Sequence, residues 1–292
     1  MKKIILLFVF LFSCLLSLVG METGNDVVAK TKKQTTLLIL HTNDSHSCIE
    51  PQNRNLADTL IAGRGGYIRR MAAIEEERNA CPDLLLFDSG DFSQGSPYYT
   101  LYKGDVEVGL MNMMHYDAVT IGNHEFDFGL ENMARLFRMA EFPIVCSNYD
   151  FTGTPVEGLV REYIVLERQG VKIGVFALCP QPDGLVSKQN YEGMKFKDPV
   201  DVARTMTDIL KDEKKCDVVI CLSHLGWDIA GVDDKQLIAN TSDIDIVLGG
   251  HSHSYLTQLE YVRNDKGKEI PVDQNGKLAI FMGKIKMTLN RK

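Results

Sequence analysis

The sequence predicts an α/β fold with a mostly parallel sheet, and two observations carry that prediction. Short aliphatic or β-branched runs recur along the chain, and amphipathic stretches of helical period separate them. Strands joined through helices form βαβ units, whose parallel sheet is covered on both faces. The strand runs, in order, are Leu37–Leu40, Leu84–Phe87, Ala118–Ile121, Ile144–Cys146, Val171–Leu178, Val218–Leu222 and Ile244–Leu248. Each is nearly unbroken apolar sequence, as a strand buried on both sides requires. Between them Gly66–Arg78, Val106–Met114, Leu130–Ala140 and Val200–Lys214 read as amphipathic helices. Leu278–Met282 and Lys286–Leu289 read as two last short strands. With turn chemistry at Asn264–Gly267 and Asp273–Gly276, they suggest a terminal antiparallel meander. No repeat or linker interrupts this pattern, so residues 36–292 read as one domain behind a separate segment, 1–35.

That leading segment has the form of a secretory signal. Lys2 and Lys3 precede an apolar stretch from Ile4 to Val19, followed by polar residues. The chain is therefore expected to be exported to the periplasm or cell envelope. Membrane attachment is expected only through an uncleaved N-terminal anchor or a lipid on Cys14. The composition over all 292 residues is that of a soluble globular protein, 45% hydrophobic and 24% charged. A formal charge of −7 argues against broad nucleic-acid binding, which needs a basic face. It leaves room for a small anionic substrate, because bound cations reverse the sign locally. Six cysteines follow Cys14 without a CxxC pair, and Cys146, Cys179 and Cys221 sit in strand-like runs as small buried hydrophobes. Thiolate-held zinc is not supported, and no spacing singles out a disulfide.

Chemistry concentrates where strands end. The first strand is followed by His41-Thr42-Asn43-Asp44-Ser45-His46, and the second by Asp88-Ser89-Gly90-Asp91. Gly122-Asn123-His124-Glu125 follows the third, Ser223-His224 follows Val218–Leu222, and Gly249-Gly250-His251-Ser252-His253 follows Ile244–Leu248. Open α/β sheets bind ligands beyond the carboxyl ends of their strands. Six of the seven histidines fall in these five segments, a concentration that scatter does not produce. Any one segment alone reads more simply as a turn. Together they offer imidazole, carboxylate and amide donors, which suit Mn, Zn or Fe, and more donors than one ion needs.

Asp44-x-His46, Gly90-Asp91, Gly122-Asn123-His124-Glu125, His224 and Gly250-His251-x-His253 resemble the ordered motifs of calcineurin-like metallophosphoesterases. Leu40-His41-Thr42-Asn43-Asp44 and Asn123-His124-Glu125-Phe126-Asp127 are similar to the 5'-nucleotidase branch, and the likeness runs from about Thr36 to Arg291. The resemblance implies a four-layer αββα sandwich. It implies two divalent metal ions, one held by Asp44, His46 and His253 and one by Asn123, His224 and His251, with Asp91 between them. It implies hydrolysis of phosphate esters, most simply nucleoside 5'-monophosphates, by a hydroxide activated between the ions. In the same resemblance His124, paired with Asp127, stabilises the transition state or protonates the leaving group. Several nucleotidases of the branch carry glutamine at the place of His253, so the metal preference of this chain can differ. They also carry a C-terminal domain that stacks the base. Only 39 residues follow His253 here, so a separate C-terminal nucleotidase-domain chain is an expected partner.

Other readings stay open beside this one. The same metal site serves a 2',3'-cyclic nucleotide phosphodiesterase or a nucleotide-sugar hydrolase, and a non-enzymatic, exported metal-binding subunit would also keep the ligands. Several nearby residues have plainer readings. His41 and Asp88 read as supports for the ligands, His115 as a helix-end residue and Trp227 as core. Arg64 and Arg69 read as surface, and Lys211–Lys215 as a solvated helix end.

Overall fold

Residues 34–290 are described by the structure, a computed structural model; the expected signal sequence and Cys14 lie outside them. Two sheets face each other. In the first, β1 (Gln34–Thr42), β2 (Leu85–Asp88) and β3 (Ala118–Val119) run parallel, and β12 (Gly283–Asn290) pairs antiparallel on the free side of β1. In the second, β6 (Val171–Leu178), β8 (Val218–Ser223), β9 (Ile246–Leu248) and β11 (Glu269–Asp273) run parallel. Antiparallel β5 (Tyr163–Arg168) and β10 (Glu260–Arg263) close its two edges. A short antiparallel pair, β4 (Tyr149–Asp150) with β7 (Lys195–Phe196), stands apart.

Alternation along β1 shows how the layers form. Leu37 and Ile39 point inward with Leu85 and Phe87 and meet Val175, Ala177, Ile220 and Leu222 of the second sheet. Leu38 and Leu40 point outward onto Ile74 of α1 (Tyr67–Ala80), Met111 of α3 (Asp105–Met114), which follows the short α2 (Pro97–Tyr102), and Met133 of α4 (Gly129–Met139). On the far side, Phe176, Val219 and Cys221 meet Met206 of α5 (Pro199–Asp208) and Leu237 of α6 (Asp234–Ala239). The order is helices, sheet, sheet, helices: the four-layer αββα sandwich.

Local departures have physical causes. Ile144–Cys146 makes single bridges, Val119 to Ile144 and Val145 to Arg161, because it passes between two neighbours without following either. The helix expected to run to Lys214 is α-helical only to Asp208 and then widens into a π turn over Ile209–Glu213. Lys211 is not a free surface charge, since its Nζ lies 2.7 Å from Asp245.

The expected terminal meander is not formed. Asn264–Gly267 does turn β10 into β11, but the next strand crosses to the other sheet to pair with β1. Leu278–Met282 is irregular rather than a strand. Leu278, Ala279 and Met282 pack on the core under the first sheet, and Leu278 N–H donates to Asp44 O at 2.9 Å. This stretch buttresses a metal-site loop instead of extending a sheet.

Asp234, at the start of α6, is fully buried and accepts a hydrogen bond from Ser223 Oγ. Burial pushes its carboxyl up to about 8, only partly offset by Ser223 and His224. A raised folded-state pKa means a stability contribution fully present below about 3.8 and lost as pH rises through about 8. Asp234→Asn is therefore expected to flatten the fall in melting temperature between about pH 4 and 8. Parallel melting curves for wild type and variant across that range would count against it.

Candidate metal centre

The parallel strands direct five loops to one edge of the sandwich: Asn43–Ser47 after β1, Ser89–Ser93 after β2, Gly122–His124 past β3, His224 after β8 and Gly249–His253 after β9. Backbone strain collects there. Asp44, His46, Asp91, His251 and His253 all have φ between 44° and 73°, the left-handed region that costs a non-glycine residue on the order of 1 kcal/mol or more. Hydrogen bonds hold the strained turns. Asp44 N–H donates to Gly90 O and His46 N–H to Asp91 O, both at 2.9 Å. His251 N–H donates to Asp44 Oδ2 at 2.9 Å, which ties the loop after β9 to the loop after β1 across the two sheets. Gly122 must be glycine, because a Cβ there would lie 2.1 Å from Asp91 Oδ1.

The side chains converge into three overlapping donor groups: Asp44, His46 and His253; His46, Asp91 and His124; Asp91, His224 and His251. Within each, the ligand atoms lie within 4.8 Å of one another. His46 Nε2 and His253 Nε2 face each other at 2.8 Å, with Asp44 Oδ1 3.8 and 3.6 Å away. Two imidazole nitrogens aimed at one point are what a shared cation requires. His224 donates Nδ1–H to Ser89 O at 2.6 Å, which leaves Nε2 as the ligating atom, 3.2 Å from Asp91 Oδ2 and without a well-directed partner. Asn123 Oδ1 is likewise buried and unpartnered. These orphaned atoms and the imidazole–carboxylate donor set fit divalent cations of the Mn, Zn or Fe type.

Electrostatics point the same way. Burial would raise Asp91, but His224 outweighs it, helped by His124 and His46, and holds the carboxyl well below the usual range. Burial pushes Asp44 up to about 7 against the pull of His224. His224 is driven up to about 10, because Asp91 and Asp44 outweigh its own burial. Burial lowers His46, His251 and His253 to about 4, so these rings stay neutral with lone pairs free. A proton between His224 and Asp91 thus balances carboxylate charge that a cation balances when bound.

His124 stands at the rim, about a third exposed, with Nδ1 3.1 Å from Asp127 Oδ2. Burial disfavours its charged form, but the hydrogen bond to Asp127 and the charges of Asp91 and Asp127 outweigh that and raise its pKa. Its ring meets the His46 ring edge-on at 5.4 Å between centroids.

The supporting residues sit as follows. His41 is fully buried, with Nδ1 2.9 Å from Asp273 Oδ2 and Nε2 3.0 Å from Ser89 Oγ. Asp88 accepts from Thr42 Oγ1 at 2.6 Å and from Gly90 N–H at 2.9 Å. His115 is the exposed residue ending α3, Arg64 and Arg69 are exposed, and Trp227 packs at the edge of the outer core.

Two buried residues were not singled out from the sequence. Gln274 bonds Ser254 N–H, Ser252 Oγ and Gly250 O, and so shapes the His251–His253 loop. Glu125 accepts N–H bonds from Gly122 (2.6 Å), Asp91 (3.0 Å) and Ser93 (3.1 Å), clamping two ligand loops together. Its place beside His124 in the Gly-Asn-His-Glu run was the available signal. Glu125→Gln turns one acceptor into a donor facing backbone N–H groups, which should cost about 1–3 kcal/mol and lower the melting temperature. Metal affinity should fall about 10- to 100-fold. An unmoved melting temperature and metal Kd would remove the clamp role.

Comparison with known proteins supplies the family. The family model of the calcineurin-like phosphoesterases matches residues 37–255. Human 5'-nucleotidase is 33% identical over 241 residues, covering 80% of this chain and 40% of that protein. The trifunctional nucleotide phosphoesterase protein YfkN of Bacillus subtilis is 29% identical over 288 residues, covering 88% of this chain and 18% of its own length. The crystal structure of a 5'-nucleotidase precursor from Thermus thermophilus superposes with a TM-score of 0.77 at 28% identity, over 86% of this chain and 51% of that one. The chain thus spans well under half the length of the curated relatives named here. Among the described residues no helix is long and apolar enough to cross a membrane. With the αββα sandwich, the convergent His/Asp groups and a family match over most of the chain, the protein belongs to the calcineurin-like phosphoesterase family.

Proposed function

We propose that the chain is an exported phosphomonoesterase acting on nucleoside 5'-monophosphates with two divalent ions. The observation that carries this reading is a chain of three overlapping donor groups, linked through His46 and Asp91, with a partly exposed His124 oriented by Asp127 in the shared region. Asp44, His46 and His253 would hold one ion, and Asn123, His224 and His251 the other. Bound ions supply Lewis acidity, making a water nucleophilic near neutral pH and neutralising charge on the phosphoryl oxygens. Two dications against the carboxylates of Asp44 and Asp91 leave the site net positive, so it attracts a phosphate dianion despite the acidic chain. His124 delivers a proton to the departing oxygen, and Asp127 keeps its ring in register. Residues 36–292 form the catalytic unit. The relatives' additional length supports a C-terminal nucleotidase-type domain, on this protein or on a partner chain, contacting the far side of the substrate.

A second reading has a specific support. A relative described as a trifunctional nucleotide phosphoesterase supports more than one class of nucleotide ester at the site, and we take cyclic nucleotides and nucleotide sugars as the candidates. The test is hydrolysis by metal-stripped protein, with and without Mn²⁺ or Zn²⁺, read as phosphate release from AMP and as chromatographic product formation from a 2',3'-cyclic nucleotide and UDP-glucose. Metal-restored AMP hydrolysis is expected to be fastest. Faster turnover of either other ester would replace the monoesterase reading. Two bound ions with no turnover of any ester would leave a metal-binding subunit.

A further inference from the structure

A groove of about 720 Å³ opens beside the His124–Asp127 pair, between the Gln94–Pro97 loop and Asp127–Phe128. One rim is adjacent to the metal centre, since a Cβ on Gly95 would touch His46 O at 2.6 Å. The walls are apolar and bare. Leu101 is 72% exposed and Phe128 39% exposed, although both line this one depression. The Phe128 ring rests at 5.1 Å from that of Tyr99, whose hydroxyl donates to His124 O at 3.3 Å, so the aromatic pair is fixed to the residue at the rim. Lys103 Nζ lies 5.4 Å from the Phe128 ring centre. The one carboxylate in the lining, Asp127, is engaged by His124.

We infer that this groove receives the alcohol half of the ester, and that it selects leaving groups carrying a planar ring stacked on Phe128. The inference rests on the phosphoesterase reading above and deepens it. A proton donor must reach the departing oxygen, so the leaving group lies on the His124 side of the phosphorus. The other depression that reaches a donor residue, lined by His251, also carries the carboxylates Asp183 and Asp198, which disfavour an anionic ester. An open, mostly apolar surface with an aromatic ring offers stacking without reading base edges, so it favours nucleosides and other aryl alcohols over aliphatic ones.

The test compares kcat/KM for AMP and ribose 5-phosphate in the Mn²⁺-loaded full chain, in wild type, Phe128→Ala, Leu101→Ser and Phe128→Tyr. AMP should be favoured in the wild type on the order of tenfold, chiefly through KM. Phe128→Ala and Leu101→Ser should bring the ratio close to one, and Phe128→Tyr should keep it. Equal use of both esters by the wild type, or a ratio unmoved by both wall variants, overturns the groove assignment and leaves this face to a protein partner. Hydrolysis of neither ester by the wild type overturns the phosphoesterase reading, and the groove assignment with it.

Discussion

Asp91→Asn is expected to lower metal-dependent kcat/KM by more than about 100-fold, exceeding the usual effect of changing a residue that only supports a ligand. Asp91 belongs to two of the three donor groups where Asp44 belongs to one, and in the proposed reading its carboxylate lies between the two metal positions. Oδ1 already accepts His124 N–H at 2.9 Å. In the variant the amide oxygen keeps that bond, because the alternative sets two donors against each other. The NH₂ then points where Oδ2 was, 3.2 Å from His224 Nε2. It donates to the very lone pair a cation needs. Loss of anionic charge makes the loaded site more positive, so weaker substrate attraction cannot explain the defect. Fewer bound ions can. Metal content after dialysis, measured beside phosphate release, should fall from two ions toward one. Full metal content with wild-type kcat/KM would show that Asp91 does not join the two positions.

The fold was legible where burial is two-sided. Val171–Leu178 and Val218–Leu222 are unbroken apolar runs because they lie in the middle of a covered sheet, and their periodicity locates them directly. β12 was not legible as the partner of β1. Its Lys284, Lys286 and Thr288 alternate with apolar residues as an edge strand does, but Thr36 and Thr288 are 252 positions apart. Nothing local records such a pairing. β10 is an exposed edge with only two apolar residues, whereas the Tyr163–Leu166 run of β5 carries a strand signal that was not singled out from the sequence. The convergence of the candidate ligands was readable for a topological reason: parallel strands place their carboxyl ends on one edge, which brings the polar residues after the apolar runs together. The supports were harder. Gln274 acts on a loop about twenty residues earlier, and Asn43 bonds both Asp44 Oδ2 at 2.7 Å and Gly276 O at 2.9 Å across the sheets. Their roles depend on where the irregular C-terminal stretch folds back, which residue type alone does not record.

His124→Ala is expected to depress kcat by about 10²- to 10⁴-fold, the range for a lost proton donor, while leaving metal content intact. Asp44, His46 and His253 converge without it, as do Asp91, His224 and His251, so the variant removes one donor from the shared region and neither outer group. The leaving group sets how deep the loss is. An alkoxide such as the 5'-oxygen of AMP departs badly without a proton, whereas p-nitrophenolate departs readily. The defect should therefore be much smaller on p-nitrophenyl phosphate than on AMP. pH gives an independent reading. Proton donation requires the charged imidazole, so the wild-type rate should fall on the alkaline side as His124 loses its proton. The hydrogen bond it donates to Asp127 is a main cause of its raised pKa. Asp127→Asn withdraws that support and should move the alkaline limb to lower pH, and His124→Ala should abolish it. Equal losses on both esters, with the limb unmoved, would make His124 a charge stabiliser of the phosphoryl group instead of the acid that releases the leaving oxygen.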